Sequence, residues 1–164
     1  MTEYYEILTG ERIPTGRRRC RDEAMEAGEY RSGAEIWVFH RDGRLMATRR
    51  HPMKKGYPGM WECTGGLVRA GETTRAAILR EAAEEIGIAF ESKNVRPLAT
   101  LLCGREFLDV YTAVTDRPVE SLILQSDEVV DARYVTWEEL DGMNRQGLFV
   151  PTVFRRLHYY QNML

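Results

Sequence analysis

The chain is short of several features that would point elsewhere. Only three of its 164 residues are cysteine, Cys20, Cys63 and Cys103. They form neither the close pairs of a zinc site nor an even disulfide framework, which points to a reducing, cytoplasmic setting. No apolar run approaches the roughly 18 residues of a membrane span. The opening MTEYYEILTG is acidic, where a secretion signal is basic and then apolar. Neither charge sign dominates: 23 Lys and Arg against 25 Asp and Glu leave a net charge of −2. That balance argues against a strongly basic nucleic-acid footprint. Internal repeats and low-complexity linkers are missing, and His40, His51 and His158 are too scattered to make a metal spacing. What is there is 43% hydrophobic and 29% charged, enough for one domain burying roughly 70% of its unfolded surface.

Residues 1–32 are polar and charged, with RRRCRDE at Arg17–Glu23. They predict a short strand near Tyr4–Leu8 followed by loop, the basic run being a solvated segment. Ala34–His40 and Arg44–Arg50 flank Arg41-Asp42-Gly43, and Asp-Gly between two strand-like runs predicts a hairpin. Met60–Cys63 and Leu67–Val68 read as short strands interrupted by Gly65-Gly66. Thr73–Ile86 reads as a helix, Val95–Cys103 and Glu106–Val114 as a hairpin turning at Gly104, and Val129–Val135 as a strand. Thr136-Trp137-Glu138-Glu139 is a capping box that starts a helix running to about Arg145. Pro151 opens a last helix with Val153, Phe154 and Leu157 at core spacing. This order predicts an α/β (α+β) chain, a mixed sheet with helices packed on it.

The stretch Thr73–Ile86 is the informative one. At about 100° per residue, Ala76, Leu79, Ala82, Ala83 and Ile86 share one arc and are expected to be buried. Glu81, Glu84 and Glu85 point the other way, with the small Ala77 between them. A solvated helix face normally alternates its charges. Here Glu repeats at i, i+3 and i+4, and each like-charge pair costs about 0.2–0.5 kcal/mol in isolation. A divalent cation would reverse that sign, because hard oxygen donors on one rigid face suit Mg²⁺ or Mn²⁺.

The wider spacing is specific. Gly66, five residues, Glu72, seven residues, then Arg80-Glu81-Ala82-Ala83-Glu84-Glu85-Ile86-Gly87-Ile88 reproduces Gly-x5-Glu-x7-Arg-Glu-U-x-Glu-Glu-x-Gly-U, U being a bulky aliphatic. Ile88 satisfies U, and Ala82 is a smaller substitute. The chain therefore resembles the Nudix hydrolases. The box covers about a seventh of it, with further likeness through Trp37-Val38-Phe39, Arg49-Arg50 and Pro58-Gly59-Met60-Trp61. The resemblance implies an α/β/α sandwich, with residues 33–164 as the Nudix domain and 1–32 as an extension packed on it.

It further implies Mg²⁺, with Mn²⁺ as a substitute, held by Glu81, Glu84 and Glu85, with the Gly65 carbonyl as an additional ligand. Glu72 and Arg80 would fix loop against helix. Hydrolysis of a diphosphate also needs a proton acceptor: Glu81, Glu128 and Glu106 are the candidates, the last two being solvated loop acids on the plainer reading. A homodimer is a family expectation; a nucleic-acid or membrane partner is not expected.

Upstream, the chain looks most like the branch that contains isopentenyl-diphosphate isomerase. Arg49, Arg50, Lys54 and Lys55 precede Pro58-Gly59-Met60-Trp61 as they do there, and as cations they would suit a diphosphate. The isomerase proton-transfer set is missing. Gly65 or Gly66 stands where the cysteine belongs, Arg31 aligns with one histidine, and Leu67 or Val68 with another. The loop from Trp61 to Glu72 has hydrolase spacing, though Thr64-Gly65-Gly66 replaces the usual Pro-Gly-Gly. A hydrolase cleaving a small-molecule diphosphate is the expectation, with a catalytically silent ligand-binding module as the alternative class.

Overall fold

The structure is a computed structural model that describes residues 3–164. An N-terminal hairpin pairs β1 (Tyr4–Leu8) with β2 (Pro14–Cys20). A seven-stranded mixed sheet follows, built from β3 (Arg31–His40), β4 (Leu45–Arg50), β5 (Trp61–Glu62), β6 (Thr64–Leu67), β7 (Arg96–Cys103), β8 (Glu106–Thr115) and β9 (Val129–Val135). Helix α1 (Thr74–Ile86) lies between β6 and β7 in the chain, and α2 (Trp137–Arg145) and α3 (Pro151–Tyr160) come last.

β3 is the axis of the sandwich. It runs parallel to β8 from Arg31↔Glu106 to His40↔Thr115, and antiparallel to β6 from Gly33↔Leu67 to Ile36↔Thr64. Its side chains alternate between two cores, as strand geometry requires. Ala34, Ile36 and Val38 pack with Ala77, Ile78 and Ile86 of α1, while Trp37 packs with Leu140, Met143, Val153 and Leu157 of α2 and α3. Each large side chain buried this way contributes roughly 2 kcal/mol. Helices therefore cover both faces of a mixed sheet, as expected.

The Asp42-Gly43 turn forms: the His40 N–H donates to the Arg44 carbonyl at 2.8 Å, and Gly43 adopts φ +90°. Its strands then part after a single register pair, Phe39↔Leu45. β4 leaves to pair with β9 and β5, and the place beside β3 is taken by β6.

That exchange corrects the reading of the double glycine. Gly65 and Gly66 do not interrupt two strands; they lie inside β6. A Cβ on Gly65 would meet the Ala34 carbonyl oxygen at 2.7 Å, and one on Gly66 would meet Glu81 Oε1 at 2.3 Å. Close approach, not a turn, is why glycine stands there.

Two more expectations change. The basic run is not loop: Arg17, Arg18 and Arg19 belong to β2, although that strand is mostly exposed. The buried arc of α1 is Ala77, Ile78, Ala82 and Ile86, with Ala76 and Ala83 exposed. The helix is thus turned by about one residue step from its expected setting. The second hairpin, the Thr136–Glu139 capping box and the Pro151 helix start form as expected. No helix among the described residues is long and apolar enough to cross a membrane.

Candidate active site

The turn of α1 decides the chemistry. The positions opposite the expected buried arc carry Glu81 and Glu85 into the seam between the helix and β6, while Glu84 stays at the rim. Thr73 caps the helix, its hydroxyl accepting the Ala76 N–H at 3.1 Å. Gly87, at φ +68°, ends it.

Arg80 is the organiser. It donates Nε to Glu72 Oε1 at 2.8 Å and Nη2 to Glu72 Oε2 at 3.0 Å, a two-pronged grip between helix and loop. Nη1 reaches Glu81 at 2.8 Å and Glu84 at 3.0 Å. Glu72 also accepts the Arg69 N–H at 3.0 Å, and with Arg80 beside it its carboxyl is held below the usual range.

The carboxylates behind Arg80 behave in the opposite way. Burial pushes Glu81 up despite Arg80. Glu85 is pushed up to about 8 by burial, reinforced by repulsion from Glu81 and Glu62 and opposed by Lys54 and Arg50. These groups line a cavity of about 120 Å³ together with Gly65, Gly66, Arg50, Lys54 and Glu128. Gln125 and Glu128 come from the segment before β9, which the Gln125 N–H ties to the Glu85 carbonyl at 3.1 Å.

Of the four cations expected to meet a substrate, Arg50 and Lys54 enter this cavity, paired with Glu62 and Glu128 respectively. Arg49 and Lys55 do not. Arg49 is exposed and donates to the Gly59 carbonyl at 3.0 Å; Lys55 is 94% exposed, 3.9 Å from Asp22. Glu106 is also elsewhere, held by Arg31 at 2.7 Å.

The donor set fits a hard divalent cation. It consists of carboxylate oxygens on one rigid helix, crowded at a cost in the absence of positive charge, with a glycine whose missing Cβ makes the room. Among the described residues no three potential ligands are already gathered around one point. Glu84 is shared between Arg80 at 3.0 Å and Arg69 at 3.6 Å, both through Oε2.

Beyond Gly65 and Gly66 opens a larger cavity of about 740 Å³. Its walls include Glu35, Arg156, Arg31, Glu106, Glu62 and Tyr57. Glu35 is buried at the centre of β3, ion-paired to Arg156 of α3 and accepting the Trp37 indole N–H at 2.7 Å. Sequence reasoning passed over Glu35, Glu62 and Arg156. Only an acid inside the otherwise apolar AEIWVF run signalled the first.

The NUDIX domain family model matches residues 29–153. The chain belongs to the Nudix family. A Nudix hydrolase of Listeria monocytogenes is 32% identical over 153 residues, spanning 93% of this chain and 90% of that one. An isopentenyl-diphosphate Delta-isomerase of Salmonella heidelberg is also 32% identical, over 126 residues that span 72% of this chain and 67% of the isomerase. Among solved structures, a Deinococcus radiodurans protein superposes with a TM-score of 0.78 at 23% identity, covering 94% of this chain and 98% of its own. This Nudix protein is accordingly an enzyme of the pyrophosphohydrolase class.

Proposed function

We propose that this Nudix enzyme hydrolyses the diphosphate linkage of a small molecule whose attached group is polar, a nucleoside or sugar derivative and not a prenyl chain. The observation that carries the reading is the pair of adjoining cavities. One is small and carboxylate-lined and faces Arg50 and Lys54; the other is large, with Arg31, Glu106 and the Glu35–Arg156 pair set among the apolar Leu67, Leu108, Val150 and Val153.

Glu81, Glu84 and Glu85, with the Gly65 carbonyl, would hold Mg²⁺ or Mn²⁺. Bound there, the ion neutralises charge on the diphosphate oxygens and lowers the pKa of attacking water. Arg50 and Lys54 orient the phosphates by charge-assisted hydrogen bonds, which requires them to exchange Glu62 and Glu128 for substrate. That exchange releases the Glu128 carboxylate on the wall facing α1, where it can accept a proton; Glu81 is the alternative acceptor on the helix itself. Arg80 and Glu72 keep the loop and helix in register.

The larger cavity argues for the polar group. Covering the partly exposed Arg31–Glu106 pair with hydrocarbon would strip its water contacts without replacing them, and the buried Glu35–Arg156 pair beside it offers an apolar group nothing. A base or sugar offers donors and acceptors instead. Isomerase chemistry finds no support at Cys63, which is buried with its thiol pushed well up by burial.

The test is product identification in Mg²⁺: paired phosphomonoesters from dinucleotides and nucleotide sugars, and a monophosphate with inorganic phosphate from nucleoside and prenyl diphosphates. Turnover of a polar class and none of prenyl diphosphates is expected. Preference for a prenyl substrate would overturn the assignment of the large cavity, and no turnover of any class would favour a binding module.

A further inference from the structure

Arg21 stands just past β2, in the basic run that the sequence marks as solvated. It lies outside residues 29–153, the part that the family model matches. Its backbone N–H continues the β1–β2 ladder by donating to the Glu3 carbonyl at 2.9 Å. Its side chain does not lie out along the strand. Nη1 reaches Glu3 Oε2 at 2.7 Å, and the other Glu3 oxygen takes Arg69 Nε at 2.8 Å. Arg69 continues to Glu84 at 3.6 Å. Arg21 is therefore linked to the carboxylate helix through alternating charges, while its own side chain stays half exposed.

Its position is distinctive. Among the described residues, those lining both the carboxylate cavity and the large cavity are Gly65, Gly66 and Arg21. The two glycines present backbone; Arg21 brings a guanidinium. A diphosphate with one end among the box carboxylates and its substituent in the large cavity must cross that neck. Lys54 feels the same charge, its ammonium being destabilised by burial and then by Arg21 and Arg50.

We propose that Arg21, carried by the N-terminal hairpin, is a substrate-binding residue that grips the phosphate nearer the attached group as the diphosphate passes between the two cavities. A planar guanidinium suits this position because it offers two parallel N–H donors to one phosphate while a third remains on Glu3. Glu3 presets the arginine and is not itself a ligand. This proposal rests on the diphosphate reading above.

The experiment is calorimetric titration of methylenediphosphonate with Mg²⁺ into the full chain, paired with steady-state kinetics on the best diphosphate of the panel. Arg21→Ala is expected to weaken the analogue about tenfold and to raise KM by a similar factor, with kcat changed less. Arg21→Lys should fall between, keeping charge but losing the fork. Glu3→Gln breaks the same ion pair but leaves the arginine, so it should hold affinity within about threefold. Full affinity in Arg21→Ala, with the wild type active, overturns the assignment of Arg21 alone. An equal loss in Glu3→Gln also overturns it, since the arginine would then serve only to anchor the hairpin. If the wild type neither binds the analogue nor hydrolyses any diphosphate, the hydrolase reading and this proposal fall together.

Discussion

Two acids beside α1 are equally buried and have opposite fates. The Asp109 side chain is 15% exposed and that of Glu81 14%. Asp109, on β8, accepts both prongs of Arg12 at 2.9 and 2.7 Å, the Thr74 hydroxyl at 2.6 Å and the Thr100 hydroxyl at 2.7 Å. Burial alone would raise its pKa; those donors hold it below the usual range. Glu81 shares one arginine with Glu84, faces repulsion from Glu84 and Glu3, and is raised, and Glu85 behind it more so. Surface exposure alone is therefore not what separates them. One carboxylate is saturated with donors and serves the fold; the others are left short of positive charge and can receive it from outside.

The largest contrast should come from Glu85→Gln. Turnover is expected to fall about a thousandfold, while above pH 8, where Glu85 is ionised, the apo variant melts at or above the wild-type temperature because a repulsive charge is gone. Calorimetric melting alongside product formation from the best diphosphate of the panel checks both halves. Next is Arg80→Ala, which unlocks loop from helix. A loss of activity of about a hundredfold is expected, now with a lowered melting temperature, since Glu72 loses its partner. Asp109→Asn inverts the pattern, costing about 1–3 kcal/mol in denaturant unfolding with kcat/KM nearly preserved.

pH sharpens the comparison further. The raised Glu85 contributes stability that is fully present below its usual 4.5 and is lost as pH rises toward about 8, because the folded state then holds a proton the unfolded chain has shed. The depressed Asp109 acts oppositely, its contribution being lost as pH falls through the acid range. Metal-free melting curves between pH 5 and 8.5 should therefore slope downward, and Glu85→Gln should flatten them. The smallest effect is expected at Lys55→Ala, where removing an exposed charge outside both cavities should leave kcat/KM within about twofold.

Much of the fold was legible because its signals are local. Asp42-Gly43, Gly104, the Thr136–Glu139 box and Pro151 each mark a turn or helix start by their own chemistry. The box spacing named the family, which the match over residues 29–153 bears out. What was not legible depends on partners distant in sequence. β2 is a strand because β1 supplies its ladder. Gly65-Gly66 reads as a break until Ala34 and Glu81 are seen pressing against it. The setting of α1 differs from the expected one for a related reason. Periodicity takes Ala76 and Ala83 into the buried arc, whereas the observed arc is shifted to Ala77 and Ile78 because two of the acids line a walled, charged cavity beside it. Of the cations, Arg50 and Lys54 were separated from Arg49 and Lys55 only by the path of residues 50–60, which no spacing rule describes.

The central claim is that Glu81, whose one arginine is shared with Glu72 and Glu84, and the buried Glu85 beside it form a cavity that a divalent cation can occupy to grip a diphosphate. Its most direct test is calorimetric Mn²⁺ binding at pH 8 with methylenediphosphonate present, comparing wild type with Glu85→Gln. The account predicts saturable binding with proton release in the wild type, weakened at pH 6 and lost in the variant. Undiminished Mn²⁺ affinity in Glu85→Gln, or none in either protein, would contradict it.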